Sequence, residues 1–237
     1  MDSERVLHMI DKHIDYWYRP SGRSIMNILK GETVTMQISI RHEEENDFNS
    51  VEFLTREAFW DVYKPGCDEH LIVHKIRKVP AFVKELDFVA CDKDKIIGNI
   101  IFSKARVVDE DNKEFEVLCM GPVSVSPLYQ KQGIGSLLIN QAIEKAKELG
   151  YRAIILFGHP DYYHRFGFVN AEEYNVQTSW GANFEAFMVL ELFEGSMKGI
   201  SGKYFEDEVF KIGKDELEDF EKLFPYKEKH VTDSQLK

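Results

Sequence analysis

The stretch that most restricts how this chain can fold is Leu118-Cys119-Met120-Gly121-Pro122-Val123-Ser124-Val125-Ser126-Pro127-Leu128-Tyr129-Gln130-Lys131-Gln132-Gly133-Ile134-Gly135-Ser136. An apolar run rich in strand formers gives way to Ser-Pro, then to a glycine-rich loop that opens directly into a helical pattern. The first turn of such a helix leaves backbone N–H groups without intrahelical partners, and the macrodipole adds partial positive charge there. Glycines at 133 and 135 let an anion approach the backbone closely. A phosphate or pyrophosphate is the expected ligand. A dinucleotide fingerprint would need a third glycine where Leu138 stands, and a P-loop would need Gly-Lys-Ser/Thr where Gly135-Ser136-Leu137 stands. Both are excluded.

Around this segment the chain alternates between strand and helix signals. Leu7, Ile10, Ile14 and Trp17 share one helical face, which Pro20-Ser21-Gly22 ends. Residues 36–40 alternate as a strand. Asp47 is placed to cap a helix that turns Phe48, Val51, Leu54, Ala58 and Phe59 inward, and a second helix is expected over 68–79. Strands follow over 86–91 and 96–108, joined at a polar turn, and over 115–125. A helix over 135–149 carries Leu138, Ala142, Ala146 and Leu149 as its stripe, with Gly150 as its stop. A short strand over 153–157 and a late one over 184–193 complete a mixed α/β sandwich around one sheet. Beyond Gly195 the chain turns polar, with a short acidic helix over 215–224 and fraying expected from His230 onward.

Composition limits the partners. The 237 residues are 43% hydrophobic with a formal charge of −11, enough for a sizeable core and against a nucleic-acid or anionic-membrane surface. No apolar run approaches the ~20 residues of a membrane helix, and the N-terminus lacks a signal peptide's apolar region. Cys67, Cys91 and Cys119 suit neither a disulfide framework nor a zinc site. They fit buried thiols in a reducing cytoplasm.

Gln130-x-x-Gly133-x-Gly135 resembles the acyl-CoA motif of the GCN5-related N-acetyltransferase (GNAT) family. After the next strand, Tyr162-Tyr163-His164-Arg165-Phe166-Gly167-Phe168 matches the family's Tyr four residues before Gly-Phe. Together they resemble a bacterial subgroup of small-molecule-type N-acetyltransferases, over residues 36 to about 193. The resemblance implies a single, mostly antiparallel sheet flanked by helices, with a splayed strand pair at the acetyl-CoA site. It implies that Val123, Ser124 and Val125 run beside the pantetheine arm, that Gln130, Lys131, Gln132, Gly133, Ile134, Gly135 and Ser136 wrap the pyrophosphate, and that Tyr163 lies near the sulfur. Acetyl-CoA is then the cosubstrate, with no metal, and the other partner is an amine acceptor. A homodimer is compatible with this reading. Many relatives carry an Asn after the fifth strand to hold the pantetheine, and Gly158-His159-Pro160-Asp161 stands there instead.

Transfer to an amine requires a neutral nucleophile, a stabilised oxyanion and a proton for the leaving thiolate. Positioning can supply much of the barrier reduction, and a backbone N–H near Val125 is the expected oxyanion donor. A Tyr hydroxyl is about 2 kcal/mol too weak an acid to protonate a thiolate outright, so hydrogen bonding is the larger share of what Tyr163 would do. Glu57, His70, His74, Asp87 and Glu185 are the candidate bases, and a water relay is the alternative. The other class of function is a catalytically silent acyl-CoA-binding sensor or interaction module. Residues 1–35 balance five acidic against five basic side chains. They read as an N-terminal extension, outside the native protein if Met36 is its start. Residues 36–194 form the acetyltransferase domain, and 195–237 a C-terminal polar extension.

Overall fold

The computed structural model describes residues 37–232 and Gln235, together with two short strands, β1 (Met26–Leu29) and β2 (Glu32–Thr35), which form a separate antiparallel hairpin. The helix expected over 7–17, and Met36 itself, lie outside the described residues.

The main sheet takes the order β3 (Ile38–His42), β4 (Phe88–Asp92), β5 (Lys95–Val108), β6 (Glu114–Val125), β7 (Ala153–Phe157), β10 (Phe187–Glu191), β8 (Val169–Asn170). β5 is long enough to take β4 along its first half and β11 (Gly202–Phe205) along its second, and β11 also pairs with β9 (Val176–Thr178). Every pairing is antiparallel except β6 with β7 and β9 with β11. The mixed α/β class and the mostly antiparallel sheet expected from the sequence are therefore present. β8 and β9 were not expected. At two and three residues they are too short to show a period of two.

Strand alternation divides the core between two faces. Phe88, Ala90, Ile100, Phe102, Leu118 and Met120 face helix α3 (Ile134–Glu148), whose Leu138, Ile139, Ala142 and Ala146 are wholly buried against them. Each such leucine contributes roughly 2 kcal/mol. Leu149, expected to close that stripe, is 41% exposed, because the helix ends at Glu148. On the opposite face, Val89, Cys91 and Ile101 pack under α1 (Phe48–Phe59) and α2 (Glu69–Ile76) through Val51, Val73 and Ile76. No helix among the described residues is long and apolar enough to cross a membrane.

The C-terminal residues close over α1 and α2. Short helix α4 (Pro160–Tyr163) follows β7, and α5 (Lys214–Glu221) comes late in the chain. Arg56 on α1 is 2% exposed, and its Nη2 lies 2.9 Å from Glu221 Oε2 on α5, while Nε donates to both carboxylate oxygens at 3.2 Å. Trp60 stacks under the same guanidinium at 4.2 Å and donates its indole N–H to the Glu228 carbonyl at 2.9 Å. Of the residues expected to fray from His230 onward, 233, 234, 236 and 237 lie outside the described residues, while His230 Nδ1 sits 3.0 Å from Asp61 Oδ2. Gln235, 3% exposed, donates to the Asp61 carbonyl at 2.7 Å. The acidic helix expected near the end thus has a buried cation to neutralise.

A buried charge left alone is costly, so Arg56→Ala should lower stability by about 3–5 kcal/mol in urea denaturation. Replacing the pair together, Arg56→Met with Glu221→Leu, should recover most of that loss.

Candidate functional site

The site begins where two parallel strands part. β6 and β7 pair only at Leu118–Ile154 and Cys119–Ile155. Beyond these, β7 stays with β10 through Phe157, and β6 stays with β5 until Val125 faces Gly98. The divergence has a local cause. Ile100 faces Val123 but Phe102 faces Met120, so Gly121 and Pro122 share the single place opposite Ile101. An extra residue bends and twists a strand, and Pro122 brings no N–H to a ladder. A gap opens between β6 and the end of β7, and Val123, Ser124 and Val125 border it. The Ser124 hydroxyl is buried and donates to Thr55 of α1 at 3.0 Å, so only its backbone remains for a ligand.

The gap leads into the loop before α3. Gln130 donates its side-chain amide to the Val125 carbonyl at 3.1 Å, and Gln132 donates to the Leu128 carbonyl at 3.3 Å. Both glutamines therefore shape the loop. Lys131 (φ +62°) and Gly133 (φ +83°) are left-handed, a combination that turns successive N–H groups inward into an anion-binding concavity. A Cβ on Gly133 would meet no atom within 4 Å, so the backbone angle itself is what requires glycine. Leu137 N–H closes the first turn onto the Gly133 carbonyl at 3.0 Å, placing the N–H groups of Ile134, Gly135 and Ser136 among the helix's unpaired donors. Val125, Tyr129, Lys131, Gly133, Ser136 and Tyr162 line a cleft at this point. Lys95 stands over the Tyr129 ring at 5.2 Å and Arg165 over Tyr162 at 4.6 Å. With Lys131 they gather cationic charge at one end of an acidic protein. Of the ten residues expected at the acyl-CoA site, Val125, Lys131, Gly133, Ile134, Gly135 and Ser136 line this cleft, Val123 and Ser124 lead into it along β6, and Gln130 and Gln132 brace its loop.

Across the gap, α4 begins at Pro160, whose fixed φ suits a first helical position. It carries Tyr162, hydrogen-bonded to the Ser136 side chain, and Tyr163. The Tyr163 ring packs edge-on against Tyr162 at 5.0 Å and Phe168 at 5.5 Å. It also lies directly against Gly158, where a Cβ would collide with Tyr163 Cε2. This gives the departure at Gly158 a physical reason: the missing side chain is the seat of the tyrosine ring. Burial pushes the Tyr163 phenol well above its ordinary value, so it keeps its proton at neutral pH.

The candidate bases are engaged elsewhere. Glu57 pairs with Lys227 at 2.7 Å, and His74 with Glu52 at 2.9 Å. His70 is wholly buried beside Glu221, and desolvation lowers its pKa to about 4. Asp87 is pushed up to about 9 by burial and by neighbouring Glu43, so it holds a proton at neutral pH. Glu185 is exposed at the surface. Sequence reasoning passed over Glu69, the first residue of α2. Burial, then the charge of Asp68, raises its carboxyl to about 7. Nothing in the local sequence distinguishes it from any acidic residue in a first helical turn.

Gly158→Ala should force the Tyr163 ring out of its seat. The expected cost is about 1–3 kcal/mol of stability, as for an overpacked core, with a changed near-ultraviolet tyrosine circular dichroism signal. An unchanged signal would place the ring elsewhere.

Comparison with known proteins agrees with this geometry. The Acetyltransferase (GNAT) family matches residues 51–168. The uncharacterized N-acetyltransferase YhbS of Escherichia coli (strain K12) is 30% identical over 164 residues, which cover 69% of this chain and 92% of the relative. The crystal structure of the Escherichia coli GNAT family N-acetyltransferase YhbS in complex with CoA aligns with a TM-score of 0.66 at 27% identity, covering 75% of this chain and 93% of that one. A GNAT family acetyltransferase from Brucella melitensis in complex with acetyl-CoA aligns at 0.60 and 26% identity, covering 74% and 99%.

Proposed function

Since the chain belongs to the GNAT family of acetyltransferases, we propose that it transfers the acetyl group of acetyl-CoA directly to the primary amine of a small-molecule acceptor within a ternary complex. The observation that carries this reading is the parting of β6 from β7, which ends in the left-handed Lys131–Gly133 loop on one side and faces Tyr163 on the other.

In this reading the free edge of β6 around Val123 and Val125 pairs with the amides of the pantetheine arm. The N–H groups of the loop from Gln130 to Ser136 hold the pyrophosphate, with Lys131 adding charge. The thioester carbonyl then sits at the bulged end of β6, where a backbone N–H meets the developing oxyanion. Tyr163, holding its proton firmly, donates a hydrogen bond to the departing sulfur. The transfer is favoured by orientation more than by strong acid catalysis. The three cysteines are free and buried, which suits a reducing cytoplasm.

Calorimetric titration with acetyl-CoA, paired with a free-thiol assay over a panel of primary amines, tests the proposal. Ser136 is half-buried at the cleft, so Ser136→Glu should fold normally yet weaken acetyl-CoA binding more than tenfold by like-charge repulsion. Tyr163→Phe should leave that affinity nearly unchanged and slow turnover by about 10²-fold. Tight binding with no turnover of any amine would mark a sensor instead of an enzyme.

A further inference from the structure

The gap between β6 and β7 opens through the sheet, and its two faces present different side chains. The last rung between these strands is Cys119–Ile155, so Phe157, two residues on, stands where they have already parted. Leu156 points to the α3 face and packs in one cluster with Ile134 and Leu138. The Tyr163 ring, seated on Gly158, packs against that same cluster. Strand alternation sends Phe157 to the opposite face, the one that carries α1 and α2. Its ring lies there at 5.0 Å from Phe187, 5.9 Å from Phe184 and 6.3 Å from Tyr204. Phe157 and the seat of Tyr163 are thus consecutive residues at the mouth of the gap, with one ring on each face.

Exposure sets the Phe157 ring apart. The other residues of β7 are buried, yet Phe157 is 39% exposed. Trp180, stacked on it at 6.4 Å with 16° between the planes, is 49% exposed. The loop that presents Trp180 is firmly held. Thr178, the last residue of β9, donates its N–H and its hydroxyl to the Ala182 carbonyl at 2.9 and 3.0 Å, and the hydroxyl accepts the Ala182 N–H at 3.0 Å. Gly181 (φ +82°) donates to the Thr178 carbonyl at 2.8 Å, and Asn183 donates its side-chain amide to the Val176 carbonyl at 3.0 Å. Beside this loop, Phe187 N–H closes a turn onto the Phe184 carbonyl at 2.9 Å, and the Gly158 N–H donates to the Ala186 carbonyl at 2.8 Å. Glu185 is exposed in that turn and brings a negative charge to the same rim. Two nearly parallel aromatic faces left in water at the mouth of a gap mark a surface made to be covered.

We propose that Phe157 and Trp180 form the wall on which the acceptor lies, and that the acceptor is a primary amine carrying an aromatic ring. This rests on the acetyltransferase reading and deepens it by naming the acceptor class. In that reading the glycine loop holds the phosphates of acetyl-CoA where α3 begins, on the α3 side of the gap. The nucleophile then reaches the thioester from the other side, where Phe157 stands. What covers the wall is therefore the molecule that reacts beside it. A flat ring laid on these faces gains stacking beyond the burial of its area, and a puckered ring of equal size does not. The charge of Glu185 suits an amine that arrives as an ammonium.

Two measurements on the full chain test the assignment, with phenethylamine and cyclohexylethylamine as probes of matched size. In the free-thiol assay the wild type should favour phenethylamine by about tenfold in kcat/KM, mainly through KM. Trp180→Leu, a change in an exposed loop, should bring that ratio close to one while acetyl-CoA affinity stays the same. Comparing the ratio between the two proteins cancels the difference in basicity between the amines. Equal kcat/KM for both amines in the wild type, or a preference that survives Trp180→Leu, overturns the proposal and leaves the acetyltransferase reading standing. The second measurement needs no turnover. With CoA bound, phenethylamine should move the Trp180 indole N–H resonance, identified by its loss in Trp180→Leu, and cyclohexylethylamine should move it less. An indole resonance that ignores phenethylamine overturns the proposal. A wild type that binds acetyl-CoA yet acetylates no amine refutes the acetyltransferase reading first, and the indole resonance still decides whether the wall takes an aromatic amine.

Discussion

The parting of β6 from β7 is the constraint to which the other features of the site answer. Backbone N–H and C=O groups removed from water must find partners, and residues 120–125 give up one ladder where β7 departs. The bulge opposite Ile101 and the missing N–H of Pro122 make the departure a property of the covalent chain. The strand is kept straight enough to remain paired with β5, yet is denied its other neighbour. A ligand that carries amides of its own answers that demand, and an extended pantetheine arm has them.

Around the gap, the two faces of the sheet are stabilised by different means. The α3 face is held by apolar packing, which sets the angle at which the glycine loop meets the helix. The α1–α2 face uses charge. Arg56 with Glu221, and Arg77 with Glu43 at 2.6 Å and Glu52 at 2.7 Å, fix helices whose buried surface is small. Hydrogen-bonded ion pairs have narrower geometric tolerance than leucines, so they fix the angle at which α1 and α2 lie on the sheet. On the same face burial, then the charge of Asp68, raises the Glu69 carboxyl to about 7.

Much of the framework was legible in the sequence because it rests on periodicity. The alternation in 86–125 and the stripe Leu138, Ala142, Ala146 translate into strands and a helix within a residue or two. The glycine loop was legible because helix-terminus chemistry is local. What escaped depends on distant residues. Arg56 lies on an inward face of α1, where its charge contradicts the pattern until Glu221 meets it from 165 residues away. β11 finds its place only because β5 outlasts β4. Gly158 looked like a lost contact until the Tyr163 ring occupied its space. Glu69 acquires its character from burial, which no spacing encodes.

The closing of Arg56 by Glu221, and of Trp60 by Glu228, has a consequence for synthesis. The N-terminal partners of these contacts leave the ribosome about 165 residues before their counterparts. Until the segment with Glu221 and Glu228 emerges, the buried Arg56 guanidinium lacks its bidentate carboxylate and the Trp60 indole its carbonyl partner. The sheet and α3 can assemble before that segment is made, but the α1–α2 face stays unclosed until it has emerged. Closure of this face therefore comes late, and its rate is limited by bringing together residues about 165 positions apart.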